Sequence, residues 1–264
     1  MQENLPDPEL WSLIHPFTGN LTSVDRTQRG FDSDLTAVVE CEQGPFFVKA
    51  MRNRQGGRRS SILRERAIAS TVRPIAPALV WEVENDDWIA LGYEVVSGRR
   101  ADFNPGSPDL SEVTALINGL RELPAPKVAQ TWTESRWDRF TDPETAQLFR
   151  GGTLLHTDIH PSNIIVGDGR SWLVDWSWPT LGAGFIDPAS TVMQLISAGH
   201  TPAQAETWAT QCEGWAKAAP AALDAFARAT RRMWATRAEG QPGETWLTAM
   251  LAAAEEWTQY RGLG

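Results

Sequence analysis

Apolar positions recur in two different rhythms along the chain. Between residues 35 and 95 the apolar runs are short and β-branched, and turn residues separate them. Residues 35–41 and 46–51 flank Glu42-Gln43-Gly44-Pro45, a hairpin signal, and residues 78–83 and 88–95 flank the acidic turn Glu84-Asn85-Asp86-Asp87. Between the pairs, residues 60–72 place Ile62, Leu63, Ala67, Ile68 and Ala69 on one helical face, and Pro74 follows as a stop. The predicted order is strand, strand, helix, strand, strand.

After Ser97-Gly98 the rhythm becomes helical. Residues 108–123 form an amphipathic stretch beginning after Ser107 and ending before Pro124, and shorter helices are expected near 134–140 and 143–149. Two brief strands, 163–166 and 172–174, are joined by Gly167-Asp168-Gly169. Asp187-Pro188 and Thr201-Pro202 each read as an N-cap with proline at the first helical position, and helices are expected over 221–238 and 244–260. There is no internal repeat. The pattern predicts an α+β chain with a β-rich lobe over 1–97 and a larger helical lobe over 98–264.

Composition narrows the partners. With 42% hydrophobic and 22% charged residues the 264-residue chain reads as globular, and a net charge of −9 argues against nucleic acid as a partner. Cys41 and Cys212 are too few for a disulfide scaffold or a cysteine-rich zinc module. No apolar run reaches a membrane span and the first residues lack a signal-peptide pattern, so a cytoplasmic protein without a membrane partner is expected. Thirteen tryptophans against two tyrosines are the one oddity.

The chemistry concentrates in residues 154–176, LLHTDIHPSNIIVGDGRSWLVDW. An acid, Asp158, is followed five residues later by an amide, Asn163, and a strand hairpin then returns a second acid, Asp175. Carboxylate and amide oxygens suit Mg²⁺, which shares its shell with phosphate oxygens and water. Isolated Asp and Asn in loops are usually turn formers, but that reading leaves two of the chain's four histidines, His156 and His160, in the same loop by coincidence. The spacing His-x-Asp-x-x-x-x-Asn is that of a kinase catalytic loop. Lys49, one of three lysines beside 21 arginines, lies in the predicted strand FFVKAM, and Glu65 lies in the helix that follows. These two are the candidates for a phosphate-binding lysine and the glutamate that orients it.

At these residues the chain resembles the aminoglycoside phosphotransferase and choline kinase-like family, small-molecule kinases of the protein-kinase-like fold. His156-Thr157-Asp158-Ile159-His160-Pro161-Ser162-Asn163-Ile164-Ile165 is similar to that family's His-Gly-Asp-Leu-His-Pro-Gly-Asn-Ile-Leu signature, and Val174-Asp175-Trp176 to its Ile-Asp-Trp step. The resemblance implies a bilobal fold, with Asp158 as catalytic base and Asn163 and Asp175 as Mg²⁺ ligands. It also implies that Asp187 supports the catalytic loop, although a plain N-cap explains Asp187 equally well. Thr157 and Ser162 depart from the pattern by replacing two glycines.

No Gly-x-Gly-x-x-Gly loop is present. Arg29-Gly30-Phe31-Asp32-Ser33-Asp34 is the only candidate phosphate loop, with Ser33 or nearby amides as donors. The segment Tyr93-Glu94-Val95-Val96-Ser97-Gly98 suits a nucleotide hinge, where the Glu94 carbonyl and the Val96 N–H would meet adenine. The expected function is ATP- or GTP-dependent transfer of a γ-phosphate to a hydroxyl of a small molecule: an aminoglycoside, a nucleoside or another glycosylated antibiotic, inactivated by the transfer. The alternatives are a metabolite kinase for an amino alcohol or sugar, or a non-catalytic nucleotide-binding module. A protein kinase fits less well, given His160-Pro161 and no Ala-Pro-Glu after Asp175.

The acceptor signal is weaker. From Asp187 onward there are eight acids against six bases, together with Trp208, Trp215, Trp234, Trp246 and Trp257. Tryptophan faces stack on sugars and bases, yet most of these five are expected in the core. The arginines at 52, 54, 58, 59, 64 and 66 read mainly as a solvated face.

Overall fold

A computed structural model describes residues 7–27 and 33–263. The chain divides into two compact units: residues 1–97 together with 174–178, and residues 98–173 together with 179–264.

The first unit opens with α1 (Pro8–Thr18) and β1 (Leu21–Arg26), continues through β2 (Leu35–Cys41), β3 (Phe46–Arg52), α2 (Gly57–Val72) and β4 (Leu79–Glu84), and ends with β5 (Trp88–Glu94). The strands form one antiparallel sheet in the order β1-β2-β3-β5-β4, so α2 carries the chain from β3 past β5 to the far edge. Alternation along the strands assigns the two faces. Val48, Ala50, Trp88 and Ala90 join Leu10 and Ile14 of α1 in one core layer. Met51, Ile89, Leu91 and Tyr93 join Ile62 of α2 in the other. Lys49 has the parity of Met51 and pairs across the ladder with Leu91, which places it on the α2 side. Gly92 is required where it stands: a Cβ there would lie 2.0 Å from the Trp81 ring, its partner in register.

The sequence reading of this unit lacked α1 and β1. In α1 only Leu10, Ile14 and Thr18 are buried, and Pro16 lies inside the helix, so the apolar signal is sparse. In β1 no residue is fully buried, as suits an edge strand, and no alternation marks it.

The second unit holds β6 (Arg99–Arg100), α3 (Leu110–Glu122), 3₁₀ turns at Lys127–Thr131, Asp138–Phe140, Gln147–Phe149 and Pro161–Asn163, and the short α4 (Pro143–Ala146). The three-residue strands β7 (Thr153–Leu155), β8 (Ile164–Val166), β9 (Ser171–Leu173) and β10 (Thr180–Gly182) follow, then α5 (Ile186–Ser197), α6 (Pro202–Ala209), α7 (Glu213–Ala216), α8 (Pro220–Gly240) and α9 (Thr245–Tyr260). β7 pairs with β10, and β6, β8 and β9 form a second small sheet. Phe226 of α8 centres an aromatic cluster, its ring 4.7 Å from Trp137 and 5.8 Å from Phe149 and Phe185. Thr201 caps α6 as expected, in a reciprocal capping box with Gln204.

Two readings are corrected here. Glu134 is not helical: it is buried and held by Arg136 and Thr180, and helical turns begin only at Asp138. Asp187 is not an N-cap, because α5 starts one residue earlier with Phe185 at its cap. No helix among the described residues is long and apolar enough to cross a membrane.

Candidate active site

In the first unit, strand parity and the helix opposite bring Lys49 and Glu65 together. The Lys49 Nζ lies 2.6 Å from Glu65 Oε2, 2.8 Å from Asp175 Oδ1 and 3.2 Å from Ser177 Oγ. Tyr93 donates its hydroxyl to the other Glu65 oxygen at 3.1 Å. The lysine and glutamate are buried, whereas the Asp175 side chain is 47% exposed. Burial alone would push the lysine toward neutrality, but the charges of Glu65 and Asp175 outweigh it and hold the ammonium well above the ordinary range. Burial is also the main influence on Glu65 and pushes its carboxyl up, with Lys49 pulling it back. Ser177 was not anticipated from the sequence. It donates to Asp175 Oδ1 at 2.5 Å. Asp175 itself sits at φ 63°, a left-handed backbone that a non-glycine residue rarely keeps without a reason.

The second unit holds the loop between β7 and β8. The buried Asp187 carboxylate reaches under it and accepts the His156 N–H at 2.9 Å and the Thr157 N–H at 2.7 Å. Burial pushes this carboxyl up to about 6, against the two amides that favour its charge. His156 Nδ1 accepts the Asp158 N–H at 3.2 Å. Thr157 is the second left-handed non-glycine residue, at φ 66°. It stands where the resembling signature has glycine, so the Asp187 bond holds a β-branched residue in a conformation that only glycine adopts freely.

These bonds turn the Asp158 side chain outward, 65% exposed. The Asn163 amide donates to the Asp158 carbonyl at 3.0 Å and to its Oδ2 at 3.2 Å, which fixes the end of the amide that carries the free oxygen. His160 Nδ1 accepts the Ser162 N–H, so the proton of the neutral ring is on Nε2, 3.6 Å from Asp158 Oδ2. A carboxylate presented in this way can accept a hydroxyl proton.

Among the described residues no three His, Cys, Asp or Glu side chains converge on one point. Asn163 in the second unit and Asp175 in the first offer only hard oxygen donors. Each is a donor of the kind that Mg²⁺ takes alongside waters and phosphate oxygens.

The candidate phosphate loop falls mostly outside the described residues. Ser33 is within them, and its Oγ is buried with no hydrogen-bond partner there. Asp34 turns to the Arg52 N–H and the Arg58 guanidinium. At the hinge, β5 ends at Glu94, whose side chain accepts the Ala78 N–H at 2.9 Å, and Val96 is half-buried. Four of the six arginines of that face are paired: Arg52 with Asp7, Arg58 with Asp34, and Arg59 and Arg66 with Glu84. Of the five late tryptophans four are buried, and Trp246 is 53% exposed against the edge of Trp234.

The fold is the protein-kinase-like fold found in aminoglycoside phosphotransferases and choline kinases. The choline kinase LicA from Streptococcus pneumoniae superposes with a TM-score of 0.67 at 10% identity, covering 96% of this chain and 98% of that one. A microcompartment-associated aminopropanol kinase gives a TM-score of 0.63 at 15% identity, over 98% and 99%. The aminoglycoside phosphotransferase APH(4)-Ia, solved as a thermostable mutant with AMP-PNP and hygromycin B, gives 0.62 at 10% identity, again over 98% and 99%. No family model matches the chain, and no curated protein matches it.

Proposed function

We propose that the protein is a Mg²⁺-dependent phosphotransferase that moves the γ-phosphate of ATP or GTP to a hydroxyl of a small molecule. The observation that carries this reading is the buried Lys49 ammonium clamped between Glu65 and Asp175. A charge costs several kcal/mol to bury, and an ammonium buried beside a half-exposed carboxylate is a costly pair to keep without a use. A nucleotide's phosphates and their metal give both groups one. The solved structures of APH(4)-Ia with AMP-PNP and hygromycin B and of amicoumacin kinase with AMP-PNP and Ca²⁺ are those of nucleotide-using enzymes of this fold.

In this reading Asp158 accepts a hydrogen bond from the acceptor hydroxyl and aims its oxygen, and the exposed carboxylate needs no raised pKa, since proton removal comes late in a loose transition state. Lys49 neutralises phosphate oxygens. Asn163 and Asp175 supply oxygens to Mg²⁺, whose contribution is to screen the transferring charge. His160 steadies the Asp158 carboxylate, and His156 and Asp187 set the loop. Glu94 and Val96 offer backbone groups to the base, and Ser33 an unsatisfied hydroxyl to the phosphates.

Calorimetric titration with ATP and with GTP, each with and without Mg²⁺, tests the reading on the wild type and on Lys49→Met. Mg²⁺-dependent binding lost in the variant is expected. Equal binding without metal, or none at all, would favour a non-catalytic module or an unrelated role.

A further inference from the structure

In the second unit Arg237 feels the charges of both Asp158 and Arg139, and paired arginines are the wrong sign for a polycationic acceptor. The turn Asp138–Phe140 is fastened to α8. Trp137 donates its indole N–H to Thr230 Oγ1 at 3.0 Å, and Arg232 donates to the Phe140 carbonyl at 2.9 Å. Arg139 lies over the Phe140 ring, its Cζ 4.6 Å from the centroid, and Arg237 lies over Trp234 at 4.9 Å. A guanidinium held over an aromatic face is restrained by it and keeps N–H donors with which it can bind an oxyanion through two parallel hydrogen bonds.

Both arginines are exposed, and among the described residues neither has a carboxylate within ion-pairing distance. The local acids are committed elsewhere: Glu134 to Arg136 and Thr180, and Asp138 to Arg150. Arg52, Arg58, Arg59 and Arg66 of the first unit, each paired with a carboxylate, make the contrast. Arg237 also feels the charges of its neighbours. Its pKa is held below the ordinary arginine value, first by partial withdrawal from water and then by Arg139 and Arg136, with Asp158 opposing. Arg139 and Arg237 outnumber the one Asp158 carboxylate that opposes them, and an anionic ligand would offset the excess of positive charge.

We propose that the acceptor carries an anionic group, a phosphate or a carboxylate, gripped by Arg139 and Arg237 while its hydroxyl meets Asp158. The proposal rests on the phosphotransferase reading and narrows its substrate: sugar phosphates, nucleoside monophosphates and hydroxy acids become the class to search, ahead of aminoglycosides.

The test uses three pools of hydroxylated compounds with Mg²⁺·ATP, read by mass spectrometry for a phosphate adduct. One pool holds sugar phosphates, nucleoside monophosphates and hydroxy acids, one neutral sugars and nucleosides, and one amino alcohols and aminoglycosides. Products are expected from the anionic pool alone. For the best acceptor the double variant Arg139→Gln/Arg237→Gln should raise KM at least about tenfold, the scale of one lost charge-assisted contact. Its kcat should change less, and its Mg²⁺·ATP affinity not at all. Products from the neutral or cationic pool, an unchanged KM in the double variant, or no product while Mg²⁺·ATP still binds would each overturn the proposal. Failure of the wild type to bind Mg²⁺·ATP would instead overturn the phosphotransferase reading beneath it.

Discussion

The two units hold their charged side chains by opposite means. In the first, Lys49 and Glu65 are withdrawn from water and neutralise each other, so the chemistry and the stability of that unit rest on the same atoms. In the second, Asp158 stands in solvent and its position is set at one remove, by backbone N–H groups anchored on the buried Asp187. Removing a side chain should therefore cost activity and folding together in one unit, and activity alone in the other.

The sharpest test of that contrast is Asp158→Ala. Phosphoryl transfer should fall by roughly 10²–10⁴-fold, the worth of a positioned base, while stability stays within about 0.5 kcal/mol, as for an exposed site. A steady-state kinase assay and a thermal melt read the two sides, and a large fall in melting temperature would break the comparison.

Glu65→Ala should do what Asp158→Ala does not. It leaves a buried ammonium with only the half-exposed Asp175, at a cost of about 3 kcal/mol, measurable as a lower urea midpoint alongside weaker nucleotide binding. A midpoint like the wild type's would show that the Lys49 cluster is not structural.

Asp187 gives the second unit a pH signature. Its folded pKa, about 6, lies above the ordinary aspartate value, so the folded state binds the proton more tightly. The stability from that proton is complete below about pH 4 and is lost as pH rises through 6, a change of up to about 3 kcal/mol. Denaturation at intervals across pH 4–7 should show this slope in the wild type and not in Asp187→Asn; parallel curves would refute it.

The smallest effect is expected from Thr157→Gly. Relieving one β-branched residue at φ 66° should stabilise the protein by about 1 kcal/mol, less the entropy that glycine gains when unfolded. A melt of the variant lower than the wild type's would mean that the hydroxyl, which donates to the His156 carbonyl at 2.5 Å, outweighs the strain.

The parts legible in the sequence were those carried by local spacing. His156 to Asn163 lies on one loop, and Lys49 in the strand FFVKAM is followed by a helix bearing Glu65. The parts that were not legible depend on what lies opposite. Asp187-Pro188 has the local form of an N-cap; the resemblance implied a role in supporting the loop, and the bond of its carboxylate to a loop N–H some 30 residues away is visible only in the fold. Strands of three residues, such as β7 and β10, are too short for a period to register. Arg139 and Arg237 are nearly a hundred positions apart, and no pattern links them before α8 packs against the turn at Phe140. Ser177, two residues beyond Asp175, had no signal at all.

The segment Val174–Trp178 packs with the first unit although residues 98–173, all of the second, precede it. A nascent chain leaving the ribosome can pair five strands and dock α2 once residue 97 has emerged, but the Lys49 ammonium then has only Glu65. Its second carboxylate, Asp175, arrives after 77 further residues, 98–174, have been made. The first unit thus waits, with an undersatisfied charge inside it, for a short piece of chain synthesised much later, and a fragment ending at residue 97 would keep that defect permanently.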